Sequence, residues 1–353
     1  MKDVKIEFRK PMYPVNPELM DYLEKNHRLT NIRFYYDDLL RFSDYMPVHA
    51  KEGKDTLWLN MYYPEFEHAE IEANLNKIYT LLHSDGDVDV LPFLKVDSIH
   101  FCTFGNSKPF RIRVRNILND NYTNFYIKKA DASRIYGLEL EEILSPNRIN
   151  FLLYKDTLIE EHILGIPGDV FIEKHLDLCS PQEKAQIAKE FVKFNERCLI
   201  GLLGDMRSYN YVVIPAHDFD QVVYRIRPID FDQQCYEGNL KIYLPQYFKE
   251  NKKMVEMVYD RLKPNSIEQY RKEVRSAIAK RASTDGRLPH LLEIMKRDEI
   301  SKPEHVEELK AGLHKLTYSI QFKKCDSMGE ILETGLNFVI RNYNNSNVRS
   351  LYF

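Results

Sequence analysis

Residues 202–233 read LLGDMRSYNYVVIPAHDFDQVVYRIRPIDFDQ. Two carboxylates stand where apolar runs break: Asp205 follows the run 198–203, and Asp230 follows the strand-like stretch 221–229. Asn210 comes five residues after Asp205, in a segment too rich in Gly, Ser and Asn to continue a helix. A loop of this kind can aim a carboxylate and an amide oxygen at one point. Phosphoryl transfer uses that combination: one carboxylate accepts a hydroxyl proton, while an amide oxygen and a second carboxylate hold Mg2+.

Upstream of the loop, residues 181–203 have helical spacing, with Ile187, Ala188, Phe191, Val192, Phe194 and Leu199 on the buried face. Ser180 followed three residues later by Glu183 reads as its capping box. Two strand-like runs, 150–156 and 157–163, precede it and lead into the turn Leu164-Gly165-Ile166-Pro167-Gly168. Earlier still, the strand 124–130 ends in Lys128 and Lys129, and 131–144 reads as a helix carrying Glu139 and Glu142 and stopped by Ser145-Pro146. The runs 94–101 and 110–114 flank the turn 103–109, where backbone amides from Gly105 onward could meet a phosphate.

Outside this stretch the chain reads as additional structure. Residues 1–93 form an N-terminal extension of mixed α/β character, with a helix opening at Pro17, an amphipathic helix over 33–42, a strand over 56–62 and a helix over 65–82. Residues 241–353 are mostly helical, with helices expected over 253–262, 266–281, 288–297 and 303–322.

Composition narrows the function classes. At 353 residues the chain is long enough for two domains or one two-lobed unit. The net charge of −3 gives no overall field favouring nucleic acid or an anionic membrane, so neither is expected as a partner. The five cysteines are scattered without a CxxC pair, which argues against a zinc site and fits a reducing compartment. The start MKDVKIEFRK has no signal-type apolar core, and no apolar run approaches twenty residues, so a cytoplasmic setting is expected.

The segment 204–210, GDMRSYN, resembles the D-x-x-x-x-N catalytic loop of the protein-kinase-like superfamily, and 229–232, IDFD, resembles its DFG element in a DFD form. The two stand in order with strand-like sequence between them, and the resemblance covers about residues 94–245. It implies an α+β, two-lobed fold: a β-rich N-lobe over 94–163 and a helical C-lobe over 164–353, beside the extension 1–93. It implies ATP and Mg2+ as cofactors. Asp205 would orient or deprotonate the acceptor hydroxyl, and Arg207 would stabilise charge on the transferring group. Asn210, Asp230 and Asp232 would hold the metal. Lys128, with Lys129 as its rival, would offset phosphate charge while paired to Glu139 or to Glu142 one turn later. Gly105 would lie over the phosphates, and the backbone from Glu161 to Ile163 would meet adenine. Arg207 stands where protein kinases carry lysine, whereas Gly204 resembles the HGD of small-molecule kinases. The acceptor is therefore a protein hydroxyl, or alternatively a small-molecule alcohol of aminoglycoside or choline type. A nucleotide-binding pseudokinase and adenylyl transfer are the other readings that the same residues allow.

Overall fold

The computed structural model describes residues 10–49, 53, 55–104, 107–218 and 221–343. Its main elements in chain order are α1 (Pro17–Lys25), β1 (Asp44–His49), β2 (Asp55–Tyr62), α2 (Glu65–His83), β3 (Leu94–Cys102), β4 (Phe110–Asn116), β5 (Asn121–Lys129), α3 (Ala132–Leu144), β6 (Phe151–Tyr154), β7 (Thr157–Glu161), β8 (Ile166–Pro167) and the single turn α4 (Gly168–Val170). There follow α5 (Pro181–Gly201), β9 (Tyr211–Asp218), β10 (Gln221–Pro228), α6 (Lys252–Arg261), α7 (Pro264–Thr284), α8 (Leu288–Arg297), α9 (Pro303–Thr317) and α10 (Met328–Asn342). The protein is mixed α/β with antiparallel sheets, in keeping with an α+β class. No described helix is long and apolar enough to cross a membrane.

The chain divides into two compact units. One comprises residues 14–131 and 149–162. It is built on a seven-stranded sheet of order β1-β2-β3-β4-β5-β7-β6, in which every neighbouring pair is antiparallel. Strict alternation along β4 sends Phe110, Ile112 and Val114 to one face, where they pack with Ile71, Leu75 and Ile78 of α2 and with Phe125, Ile127 and Ile159. Residues 14–93 are therefore not the separate extension that the sequence suggests. Leu59 and Met61 on β2 and the apolar stripe of α2 have no core of their own, and they bury themselves by extending this sheet and covering its face.

The helix expected over 33–42 is instead a single 3-10 turn, Tyr36–Leu40. Side chains compete with the backbone here: Asp38 accepts from the Tyr35 N–H at 2.8 Å, and Thr157 Oγ1 accepts from the Tyr36 N–H at 2.8 Å.

The other unit comprises the described residues of 1–13, 132–148 and 163–353. The small sheet β10-β9-β8 and helices α5 to α10 form it. Ser180 caps α5: its side chain accepts from the Glu183 N–H at 3.2 Å while Glu183 accepts from the Ser180 N–H at 2.8 Å. Ile187, Ala188, Phe191, Val192 and Phe194 bury one face of α5 completely or nearly so. Helix α3 follows β5 directly in sequence yet belongs to this unit. It is buried on nearly every side, and its polar groups bond here: Ser133 Oγ donates to the Gln234 carbonyl at 2.7 Å, and Tyr136 Oη donates to Asp298 at 2.7 Å. Helix α9 stops at Thr317, short of the expected 322, and α10 was not distinguished in the sequence.

In the sheet unit, Lys128 Nζ lies 2.8 Å from Glu160 Oε2, and both side chains are only 7% exposed. This overturns the expected Lys128–Glu139 pair. Cross-strand register explains it: Lys128 sits opposite Leu158, so Glu160 is its diagonal neighbour on the same face. Lys128→Met alone should lose about 3–5 kcal/mol in chemical denaturation by stranding a buried carboxylate, and Lys128→Met combined with Glu160→Met should recover most of that loss.

Candidate functional site

The loop after α5 is made by two backbone reversals. Leu202 caps the helix at φ 51°, and Asp205 itself takes φ 58°, both in the left-handed region. The strain is held by hydrogen bonds from two sides. Asp205 N–H donates to the Ile242 carbonyl at 3.1 Å, Gly204 N–H to Gln233 at 3.2 Å, Cys235 N–H to Leu202 at 2.9 Å and Ile229 N–H to Asn210 at 3.0 Å. From below, Asn251 Nδ2 donates to the Met206 carbonyl at 2.9 Å while its Oδ1 accepts from Tyr211 Oη at 2.9 Å. The loop and segment 229–235 are thus one hydrogen-bonded body.

Within that body Asp205 accepts from Arg207 Nε at 2.9 Å, and Arg207 Nη1 donates to Glu250 at 2.8 Å. Asn210 Nδ2 donates to the Asp205 carbonyl at 2.8 Å and faces its Oδ2 at 3.4 Å, so the amide oxygen is the Asn210 atom that could meet a cation. Burial pushes the Asp205 carboxyl up to about 7; Arg207 opposes that rise and the charge of Asp230 adds to it. Asp205 and Arg207 also keep each other oriented, and the two neighbouring carboxylates hold the Arg207 guanidinium firmly charged.

Asp230 and Asp232 close the site, and a residue not foreseen from sequence holds both. Arg134, 2% exposed, sends Nη2 to Asp230 Oδ1 at 2.5 Å and Nε to Asp232 Oδ1 at 2.7 Å. The Asp232 N–H also donates to Asp230 Oδ1 at 3.2 Å. Gly137, one turn after Arg134, allows the approach: a Cβ there would lie 2.9 Å from the Cβ of Phe231. Among the described residues no group of three or more His, Cys, Asp or Glu side chains gathers as a metal centre. Two carboxylates and an amide oxygen nevertheless fit Mg2+, which commonly takes one or two carboxylates and completes its shell with water and substrate phosphate. Arg134 and such a cation would draw on the same two carboxylates.

The remaining expected positions are distributed differently. Glu139 is fully buried and lies 3.9 Å from Arg287 Nη1, which also meets Glu142 at 3.1 Å, so both acids of α3 turn to that arginine. Lys129 pairs with Asp37 at 3.0 Å. The Glu161 N–H, expected to be open to a ligand, donates to the Asn150 carbonyl at 3.0 Å. Ile163 follows the end of β7 and is half-buried. Gly105 lies outside the described residues. Arg134, Glu160, Glu250 and Asn251 were not singled out in the sequence. The one available signal was Arg134 itself, a lone cation among Ile135, Tyr136, Leu138 and Leu140, which a buried helix can accommodate only against anions.

No protein-family model matches the chain, and no curated protein matches it.

Replacing Arg134 by Gln strands two carboxylates beside each other. The variant should melt well below the parent protein near pH 8, with about 3 kcal/mol lost, and should regain much of that loss in millimolar Mn2+. Thermal melts with and without the metal check both parts.

Proposed function

We propose that this chain is a kinase-like phosphotransferase, which moves the γ-phosphoryl group of Mg-ATP to a hydroxyl of a protein acceptor in the cytoplasm. The observation that carries the reading is the strained Asp205 corner. A carboxylate is held there by Arg207 and Asn210, within one hydrogen-bonded body that also carries Asp230. The division into a sheet-based unit and a helix-rich unit supports the same reading.

In this reading Asp205 takes the proton of the acceptor hydroxyl. A base poised near neutrality combines an adequate ionised fraction with useful basicity, and burial places Asp205 there. Arg207, kept charged by Asp205 and Glu250, fixes the carboxylate's direction and offsets negative charge on the transferring group. The oxygens of Asn210, Asp230 and Asp232 would hold Mg2+, which when bound neutralises phosphate charge. Lys128, fixed by Glu160, is the proposed phosphate cation of the sheet unit. The cation two residues after Asp205 favours a protein acceptor over a small alcohol. A second reading, nucleotide binding without transfer, draws on one specific observation: Arg134 already neutralises Asp230 and Asp232.

The test is incubation with Mg2+ and γ-labelled ATP in a lysate of the natural host, followed by separation of macromolecules from small ones. Label in a protein fraction, lost with Asp205→Ala while ATP still binds, supports the proposal. Label in a small metabolite transfers it to a small-molecule kinase. Absence of label in both fractions overturns it in favour of binding alone. Turnover should rise about tenfold per pH unit below pH 7 and level off above it as Asp205 loses its proton. The same group makes folding stability fall as pH rises from about 4 through about 7, because the folded protein favours its protonated form. Asp205→Asn should remove that decline and lower turnover at least about a hundredfold.

A further inference from the structure

The face of the seven-stranded sheet turned away from α2 carries a row of cations. Arg111, Arg113 and Arg115 alternate along β4 with the core residues Ile112 and Val114. Register sets Ser98 and His100 of β3 on one side of them and Tyr126 of β5 on the other, with Lys128 two residues further along β5. Three of these cations have carboxylate partners: Arg113 with Asp97 at 3.5 Å, Arg115 with Asp120 at 2.5 Å, and Lys128 with Glu160 at 2.8 Å.

Arg111 has no carboxylate at ion-pair distance among the described residues. Its guanidinium lies 4.6 Å from the centre of the Trp58 ring, and Nη2 is 2.9 Å from His100 Nδ1. Burial, together with Arg111 and Arg113, lowers His100 to about 4, so at neutral pH that imidazole is an uncharged acceptor and supplies no counter-charge. Two further polar atoms of the same face are buried without a hydrogen-bond partner: Ser98 Oγ, which sits across from Arg113, and Asn60 Oδ1, across from His100. A half-buried guanidinium without an anion, beside an idle hydroxyl and an aromatic plate, is what a folded chain avoids unless a ligand completes it.

We propose that this face binds the phosphate chain of a nucleoside triphosphate, with Arg111 as its principal ligand and Ser98 Oγ as a donor beside it. This rests on the nucleotide-binding part of the reading above and names the group that does the holding. A guanidinium offers a fork of donors that matches phosphate oxygens. Single-stranded nucleic acid, whose bases stack on aromatic rings of a basic sheet, is the competing occupant.

Trp58 is the only tryptophan of the chain and lies against Arg111, so its emission reports on the site directly. The full-length protein is titrated in EDTA with inorganic tripolyphosphate, with ATP and with a ten-nucleotide poly(U) oligomer. The expected result is a saturable change in emission with tripolyphosphate and ATP. Arg111→Gln should weaken both at least tenfold, and Arg111→Lys should weaken them less. The melting temperature of Arg111→Gln without ligand should be unchanged or higher, because the replaced cation had no anion to lose. An unchanged Trp58 spectrum at saturating ATP, equal affinity in Arg111→Gln, a lowered melting temperature in that variant, or a response to the oligomer alone each overturns the inference. The two proposals fail separately. Transfer that disappears with Asp205→Ala while ATP affinity ignores Arg111 removes only this one. Arg111-dependent tripolyphosphate binding without any transfer removes only the phosphotransferase.

Discussion

Arg134 sits almost wholly out of solvent between Asp230 and Asp232, and much of the helix-rich unit is arranged by what that requires. Buried charges of opposite sign are tolerated only when geometry is close and the remaining donors are satisfied. Helix α3 must therefore press against the segment after β10. The sequence allows this at Gly137, where any side chain would strike Phe231, and anchors it with Ser133 on the Gln234 carbonyl. Once segment 229–235 is pinned, it holds the loop after α5 through Asn210, Gly204 and Leu202. The left-handed backbone at Asp205 persists because these bonds over-determine it.

The same contacts couple the two acidic points. Asp230 carries negative charge towards Asp205 and helps to raise its proton affinity. Any cation that settles more firmly on Asp230 weakens that repulsion and lowers the Asp205 pKa, so loading the carboxylates favours the ionised form of Asp205. Arg134 already supplies part of this effect. A divalent ion arriving at Asp230 and Asp232 would have to share or displace a guanidinium, which makes occupancy of this site depend on where α3 places one side chain.

The sequence made some of this legible for plain reasons. The capped helix α5, the polar loop behind it and the hairpin of β3 and β4 are local patterns, each specified within a few residues. What escaped was set by distant register. The partner of Lys128 is decided by how β5 lies on β7, and no spacing within either strand reveals the diagonal to Glu160. The place of α3 escaped for a related reason. A helix directly after a strand suggests that both share one core, but α3 is buried on nearly every side and its arginine meets its anions in the segment after β10. Residues 14–93 were misplaced because edge strands look like an independent region until their pairing is known.

Two kinds of cation stand out among the described residues, and the difference bears on structure as against ligand chemistry. Lys128 with Glu160, Arg134 with two aspartates, and Arg275 with Glu196 are closed pairs in which each charge meets its opposite within the chain. Such pairs give weak evidence of function, because a satisfied pair already has a structural reason to exist. Arg111 is of the other kind. It is half-buried, leans on a ring and donates to a neutral imidazole, while Ser98 nearby keeps an idle hydroxyl. Folding alone would replace such an arginine with an apolar residue, and keeping it makes physical sense where the missing anion arrives from outside. By that measure the open charge of the sheet unit is a stronger sign of a ligand than the closed one that the lysine-bearing strand first suggested.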